Sequence, residues 1–338
     1  MRVLGIETTC DETACAIVED GATILSNVVS SSIDLHIPFQ GVVPELACRR
    51  HVEVFLPVLE ECLDQAGLQL DDIDVIAVAR GPGLMGALLI GLNAAKALAM
   101  AAERPFVGVN HVEAHLYAAM MGRLDQIPFP AVGLVVSGGH TTLCLIEGVG
   151  RYRLLGTTVD DAVGEAFDKV SVLLGTGYPG GPKIEALARQ GDSKRFALSP
   201  GRVKGQPLDF SFSGLKTAVL YAAKGQDAQN LLFLDDQEKA DLAASFQEVA
   251  LGDLARKTLL ALQQTGAKSI VVGGGVSCNQ RLRQLLTHAA GELPVFWPAP
   301  GLSTDNAAMI AGLGYHIYQR QQQSCPFDLE ASPQLPWY

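Results

Sequence analysis

The sequence predicts a two-lobed α/β fold in which one supersecondary unit is used twice. Each half of the chain opens with three short apolar segments of strand length, and each then passes into alternating helical and strand-like segments. The 338 residues suffice for two domains of ordinary size, and a composition 48% apolar and 18% charged can fill a core in each.

In the first half the strands are Val3–Glu7, Ala14–Val18 and Thr23–Ser30, with turns at Thr9–Thr13 and Glu19–Gly21. A helix runs from about Glu45 to Gly67, where Leu46, His51, Phe55, Leu59 and Leu63 recur at helical spacing. Val75–Ala79 is a short all-apolar strand, and Arg80-Gly81-Pro82-Gly83 turns the chain into an Ala/Leu-rich helix. A strand at Phe106–Val109 leads to a helix beginning near His111. After Pro128-Phe129-Pro130 the pattern returns, with strands at Ala131–Val136, Thr141–Glu147 and Tyr152–Thr158, then helices, and strands at Ser269–Val272 and Val295–Trp297. Segments 191–208 and 225–236 lack periodicity and read as surface loops. The Gln/Pro-rich stretch from Gln321 to Tyr338 carries no pattern. Two such units resemble a duplicated ribonuclease-H-like fold, the architecture of the actin, Hsp70 and sugar-kinase superfamily, which clamps ATP between its lobes. That resemblance implies a first lobe over residues 1–130, a nucleotide-binding lobe over 131–304, and a helix and tail over 305–338 returning to the first lobe. It also implies nucleotide and metal sites in the cleft.

The net charge of −11 argues by itself against nucleic acid as a partner, because phosphate binding is driven by Lys and Arg. A nucleic-acid substrate therefore requires a local basic patch or a helper protein. Arg49-Arg50-His51, Arg151/Arg153, Lys194/Arg195, Arg202/Lys204 and Arg281/Arg283 are the candidate contacts, with a solvated surface as the alternative for each. Seven scattered cysteines without a C-x-x-C pair point to reduced thiols and a cytoplasmic setting. No signal-peptide pattern opens the sequence, and Ala87–Ala102 is too short and too polar to span a bilayer.

The sharpest motif is His111-Val112-Glu113-Ala114-His115. Histidines four apart lie on one helix face, a spacing suited to one metal ion, although ordinary helix histidines share it. Asp305, in Ser303-Thr304-Asp305-Asn306, is the candidate third ligand. A metallopeptidase would need its glutamate beside the metal. Glu113 is two residues from each histidine, roughly 200° round the helix at about 100° per residue, so it faces away.

Three Gly-rich turns fall in the second half: Val136-Ser137-Gly138-Gly139-His140-Thr141 between strands, Tyr178-Pro179-Gly180-Gly181-Pro182 opening a helix, and Val272-Gly273-Gly274-Gly275 running on to Asn279. Exposed amides at such turns favour phosphate, and three of them in one lobe point to a nucleotide. Acidic residues cluster at Glu7, Asp11 and Glu12, and again at Asp160, Asp161, Glu165 and Asp168. Asp161, Glu165 and Asp168 share a helical face and repel unless a cation or polar ligand lies near. Asp209–Thr217 reads as a buried turn leading to a helix.

Taken together, these segments resemble one family. Gly5-Ile6-Glu7-Thr8-Thr9-Cys10-Asp11-Glu12-Thr13 is similar to the opening signature of the bacterial TsaD proteins, and Gly41–Arg49, His111–His115, Val136–Thr141, Gly164–Lys169, Tyr178–Pro182, Asp209–Thr217, Gly273–Asn279 and Ser303–Met309 follow in the family's order. The family is that of the tRNA N6-adenosine threonylcarbamoyltransferases, once described as glycoproteases. The resemblance implies transfer of a threonylcarbamoyl group from threonylcarbamoyl-AMP to the N6 amine of the adenosine next to the anticodon, in tRNAs reading codons that begin with A. It implies one Fe(2+) or Zn(2+) ion on His111, His115 and Asp305. It places Val135, Val136, Ser137, Gly138, Gly139, Asp168, Gly181, Glu185 and Asn279 around ATP, ADP or the adenylate, with Mg(2+) as a further ion. Asp11, Glu12 and His140 are the candidate catalytic groups. Implied partners are a TsaB-like paralogue, a TsaE-like ATPase and a TsaC-like enzyme supplying the adenylate. Thr9 stands where the family usually has Ser, Gln40 where it has the first Gly of a pair, and Cys48 where it has Ser. Archaeal relatives carry a ligating Tyr where Val135 stands. A metallopeptidase and a non-catalytic ATP-binding partner protein are the rival readings.

Overall fold

The computed structural model describes residues 1–224 and 234–336. Of the loop expected at 225–236, residues 225–233 lie outside the described residues. The chain divides into two compact units, the first comprising residues 1–127, 149–151 and 298–338, the second residues 128–148 and 152–297.

In the first unit β1 (Arg2–Glu7), β2 (Glu12–Glu19) and β3 (Thr23–Ser31) form the antiparallel meander read from the sequence. A one-turn helix α1 (Ile33–His36) precedes the long α2 (Pro44–Ala66). Pro44 starts α2, where a missing N–H costs nothing, and Gly67 ends it in the left-handed conformation, φ 65°. Then follow β4 (Val75–Gly81), α3 (Met85–Ala101), β5 (Phe106–Asn110) and α4 (His111–Met120). The sheet order is β3-β2-β1-β4-β5, with β1, β4 and β5 parallel. Val3 and Leu4, and likewise Ile76 and Ala77, are fully buried on alternate faces, as strands covered on both faces require.

The second unit repeats this topology. Its strands β6 (Ala131–Val136), β7 (Thr141–Gly148) and β8 (Arg151–Thr157) are followed by α5 (Val163–Leu173), α6 (Gly180–Ala188), α7 (Ser213–Lys224) and α8 (Asp236–Thr265). The unit closes with β9 (Ser269–Gly273), α9 (Gln280–Ala290) and β10 (Val295–Phe296). The order β8-β7-β6-β9-β10 matches the first sheet strand for strand. Each unit has its own core, one around Leu4, Ile6, Phe55 and Phe106, the other around Leu134, Phe167, Phe246 and Val272. This is the duplicated ribonuclease-H-like, two-lobed α/β fold.

The last helix, α10 (Ala307–Gln321), belongs to the first unit and lies on β1, β2 and β4. Gly5 permits that contact, since a Cβ there would press on the Ala307 carbonyl and come within 2.7 Å of Ala311 N. The start of α10 is thereby drawn down onto β1, next to α4. Among the described residues no helix is long and apolar enough to cross a membrane, and all seven cysteines are free thiols.

Candidate active site

His111 is the first residue of α4, and Asn110 is its N-cap, accepting from the amides of Val112 (2.9 Å) and Glu113 (3.2 Å). His115 follows one turn later, with the two rings edge to face at 4.6 Å between centroids. Asp305 stands just before α10, whose N-cap Asn306 accepts from Met309 N at 3.1 Å. One atom from each of His111, His115 and Asp305 lies within 4.8 Å of the others. Asp305 Oδ1 is 3.2 Å from His115 Nε2 and 3.7 Å from His111 Nε2. Glu113 contributes no atom to this group.

The donor set fits a first-row divalent ion. Two imidazoles and one carboxylate, with positions left open, are the ligands of non-haem iron(II) and of catalytic zinc. His115 supports that fit directly: it is 1% exposed, and neither ring nitrogen has a hydrogen-bond partner among the described residues. Its Nε2 lies 3.2 Å from Asp305 Oδ1 without making a hydrogen bond. An unsatisfied buried polar group costs about 1–3 kcal/mol, a cost that ligation would remove at one nitrogen.

Behind His111 lies a carboxylate that sequence reasoning placed in an acidic cluster but not among the ligands or their supports. Glu7, fully buried at the end of β1, sits 2.9 Å from His111 Nδ1 and accepts from Thr9 N at 2.6 Å. A carboxylate can only accept, so Nδ1 carries the proton and Nε2 points to Asp305. Such carboxylate–histidine pairs fix the tautomer of a metal ligand. Burial alone would lower the His111 pKa, but the Glu7 and Asp305 carboxylates outweigh it and hold the metal-free imidazole at about 9. The available signal was a charged residue ending an otherwise apolar strand.

Asp11 and Glu12 lie in the same unit, in the turn after β1. Glu12 accepts from Ser31 Oγ at 3.1 Å. Burial, then Asp305 and Asp11, push its carboxyl well above the usual range. His51 secures this turn from α2, with Nε2 donating to the Cys10 carbonyl (3.0 Å) and Nδ1 accepting from Thr13 Oγ1 (2.8 Å). Burial holds its pKa down, which suits that neutral tautomer.

In the second unit the Gly-rich turns converge. Ser137 N donates to His140 O (2.8 Å) and His140 N to Ser137 Oγ (3.1 Å), leaving Gly138 and Gly139 exposed at the tip. Val135 and Val136 are buried strand residues leading into this turn. Gly164, at the start of α5, donates to Ser137 O at 3.2 Å. One turn further on, Asp168 accepts from Gly180 N at 2.7 Å, which ties α5 to α6 and brings Gly181 beside it. Glu185 of α6 accepts from Gln280 N at 3.1 Å, next to Asn279, whose side chain caps α9 and donates to Gln247 at 2.9 Å. The circuit closes at Gly274, φ 93°, whose missing Cβ would lie 2.7 Å from Val136 C. Glu185, Gln247, Glu248, Gln280 and Arg281 line a groove of about 230 Å³ beside it. His140, in this turn, belongs to the second unit, whereas Asp11 and Glu12 belong to the first.

The second acidic cluster is neutralised from within. Asp161 pairs with Lys216 (2.6 Å) and Lys169 (2.9 Å), and Lys169 also meets Glu165 at 2.7 Å. Asp160 accepts from Phe212 N, Ser213 N and Ser211 Oγ, fastening the buried turn that opens α7.

The chain has relatives among known proteins. The profile of the TsaD family, described as tRNA N6-adenosine threonylcarbamoyltransferase, matches residues 23–312. The tRNA N6-adenosine threonylcarbamoyltransferase of Protochlamydia amoebophila (strain UWE25) is 59% identical over 337 residues, covering 99% of this chain and 98% of that protein. Among solved structures, HypF of T. kodakarensis superposes with a TM-score of 0.61 at 14% identity, over 95% of this chain and 48% of that one. ROK hexokinase from Thermus thermophilus superposes with a TM-score of 0.50 at 16% identity, over 95% and 99%. These two likenesses speak for the fold alone. The chain belongs to the TsaD family, the transferases that modify tRNA with threonylcarbamoyl at adenosine N6.

Proposed function

We propose that this transferase holds one Fe(2+) or Zn(2+) ion on His111, His115 and Asp305, and a nucleotide on the Gly-rich turns of its second unit. The reaction is acyl transfer from threonylcarbamoyl-AMP to the N6 amine of the adenosine adjacent to the anticodon, in tRNAs reading codons that begin with A. The amine forms a bond to the carbamoyl carbon, the bond to the AMP phosphate oxygen breaks, AMP leaves with the electron pair, and the amine gives up a proton. An ion bound by His111, His115 and Asp305 would supply Lewis-acid polarisation and positive charge.

The chain's own residues do the rest. Glu7 keeps the His111 proton on Nδ1, so that Nε2 is free to ligate. The exposed amides at Gly138 and Gly139 are donors for phosphate oxygens or for ATP and ADP with Mg(2+). Ser137 orders that turn; Asp168, Gly181, Glu185 and Asn279 surround the ribose and base, and Val135 and Val136 anchor the turn from behind. An exocyclic amine is a poor nucleophile, so orientation contributes much of the rate. Asp11, Glu12 and His140 are the candidate proton acceptors. In this reading residues 1–130, joined by the helix and tail of 305–338, form the metal-binding lobe, and residues 131–304 form the nucleotide-binding lobe.

The chain's acidity makes partners part of the proposal: a TsaB-like paralogue and a TsaE-like ATPase to engage tRNA, with a TsaC-like enzyme to supply adenylate in the cytoplasm. Peptide hydrolysis is not favoured, since Glu113 stands outside the ligand group.

The observation that carries the reading is the His111–His115–Asp305 group, with both histidines buried and Glu7 behind His111. The test is transfer of labelled threonine to tRNA with ATP, bicarbonate and the partner proteins, alongside metal analysis of each variant. His111→Ala and Asp305→Ala should fold, lose bound metal and lose transfer. Full transfer by either variant would overturn the metal assignment.

A further inference from the structure

The segment after α10 carries no pattern in the sequence, yet it is tied down along its length. It crosses the ends of β4 and β5 as a strap. Cys325 N donates to Phe106 O at 2.8 Å at the start of β5, and Lys96 Nζ donates to Leu329 O at 2.7 Å. Ser332 N donates to Arg80 O at 2.8 Å, at the end of β4. There the neighbouring Gly81, φ 149°, leaves room for the Ser332 carbonyl, which any Cβ would strike. The strap reaches its far end at Leu335, whose carbonyl accepts from Asn110 Nδ2 at 3.1 Å.

Asn110 is therefore fixed at both ends of its amide. Oδ1 accepts from two backbone N–H groups, which can only donate, and Nδ2 donates to a carbonyl, which can only accept. That settles which way the amide faces. The same side chain caps α4 immediately before His111. A second chain of contacts leads from the strap towards Thr9: Pro333 O accepts from Gly83 N at 3.3 Å, and the next residue, Leu84, donates to Thr9 O at 2.9 Å. Thr9 in turn lies 3.3 Å from His111 Nδ1.

We propose that residues 324–335 form a positioning strap for the metal centre, acting through Asn110 to fix the first turn of α4 and so the direction of His111. The inference rests on reading His111 and His115 as ligands. Asn110 touches neither substrate nor metal and is a positioning residue.

The test uses Co2+ alone as probe, followed by its ligand-field absorption, together with amide exchange of the metal-free protein. Asn110→Ser keeps a cap but is too short to reach Leu335. A chain ending at Gln334 keeps Asn110 and loses its acceptor, together with the Leu335 side chain that lies against Gly81. Each should bind Co2+ about tenfold more weakly with an altered spectrum, as loss of an outer-shell support does, while the melting temperature of the metal-free protein stays unchanged. Combining the two should add nothing, because both remove one contact. In the chain ending at Gln334 the amides of Val112 and Glu113 should exchange faster. Wild-type Co2+ affinity in Asn110→Ser, or losses that simply add in the combined variant, would overturn the strap. Equal Co2+ binding by wild type and His111→Ala would instead mean that the ligand reading has failed, and amide exchange would then decide the strap alone.

Discussion

At the scale of single residues, Glu7 is where charge, burial and chemistry meet. A fully buried carboxylate is costly unless paired, and its partner is His111. In the metal-free protein that pair makes stability depend on pH in a definite direction. The His111 pKa is raised from 6.5 to about 9, so its contribution is complete below pH 6.5 and is lost as pH rises through 9. Urea unfolding of the metal-free protein should show stability falling across that window. Glu7→Gln should flatten the fall, since Gln can still accept from Thr9 N but presents no charge. It should also weaken Zn2+ binding by about 10- to 100-fold, as expected for an outer-shell ligand partner. A pH profile unchanged by Glu7→Gln would mean that the carboxylate does not govern His111.

At the scale of elements, the proposed metal site depends on how closely α10 approaches β1. Gly5→Ala would place a methyl against the Ala307 carbonyl and Ala311, pushing away the helix that Asp305 precedes. Overpacking of this kind costs about 1–3 kcal/mol. Transfer measured well below the melting temperature should fall by more than the loss of folded protein explains, because Asp305 moves with the helix. Gly41→Ala, where a Cβ meets nothing within 4 Å, is the control and should leave stability near wild type. Strands and helices of this kind were legible because burial imposes a period. The apolar run at Val75–Ala79 is β4 but for two residues, and Glu45–Gly67 is α2 shifted by one. The grouping of His111, His115 and Asp305 was legible because ligand chemistry restricts residue type, and the structure does bring the three side chains together. Glu7 was not placed as a support because its partner lies 104 residues away, and no local period records such a contact. The strap was illegible for another reason: its hydrogen bonds to the body of the unit run largely through its backbone, which constrains few side chains.

At the scale of the whole molecule, a chain of net charge −11 acts on tRNA, and the surface cations decide where phosphates can be met. Several candidate contacts are already engaged within the protein. Arg281 holds Glu248 at 2.7 and 2.8 Å, Arg283 donates to the Ser277 carbonyl and stacks on Trp297, and Arg50 pairs with Glu53. Arg202 and Lys204 differ. Both are exposed in the irregular segment 191–208, and neither makes an ion pair among the described residues. Arg202 also lines a cavity of about 470 Å³ with Arg256 and Lys257, whose own charges are held by Asp253 at 2.6 and 2.7 Å. Free, exposed cations release counterions when they meet phosphate, whereas cations already paired do so less readily. Reversing both, as Arg202→Glu with Lys204→Glu, should weaken tRNA binding by the partner-loaded protein alike for cognate and non-cognate tRNAs. Each lost phosphate contact should reduce the slope of log affinity against log salt by about 1, so the pair should reduce it by about 2. Zn2+ binding should stay as in wild type, since neither side chain lies in the unit that carries the ligands. An unchanged salt slope would assign the phosphate contacts to the partner proteins, whose charge would then have to compensate for the acidity of this chain.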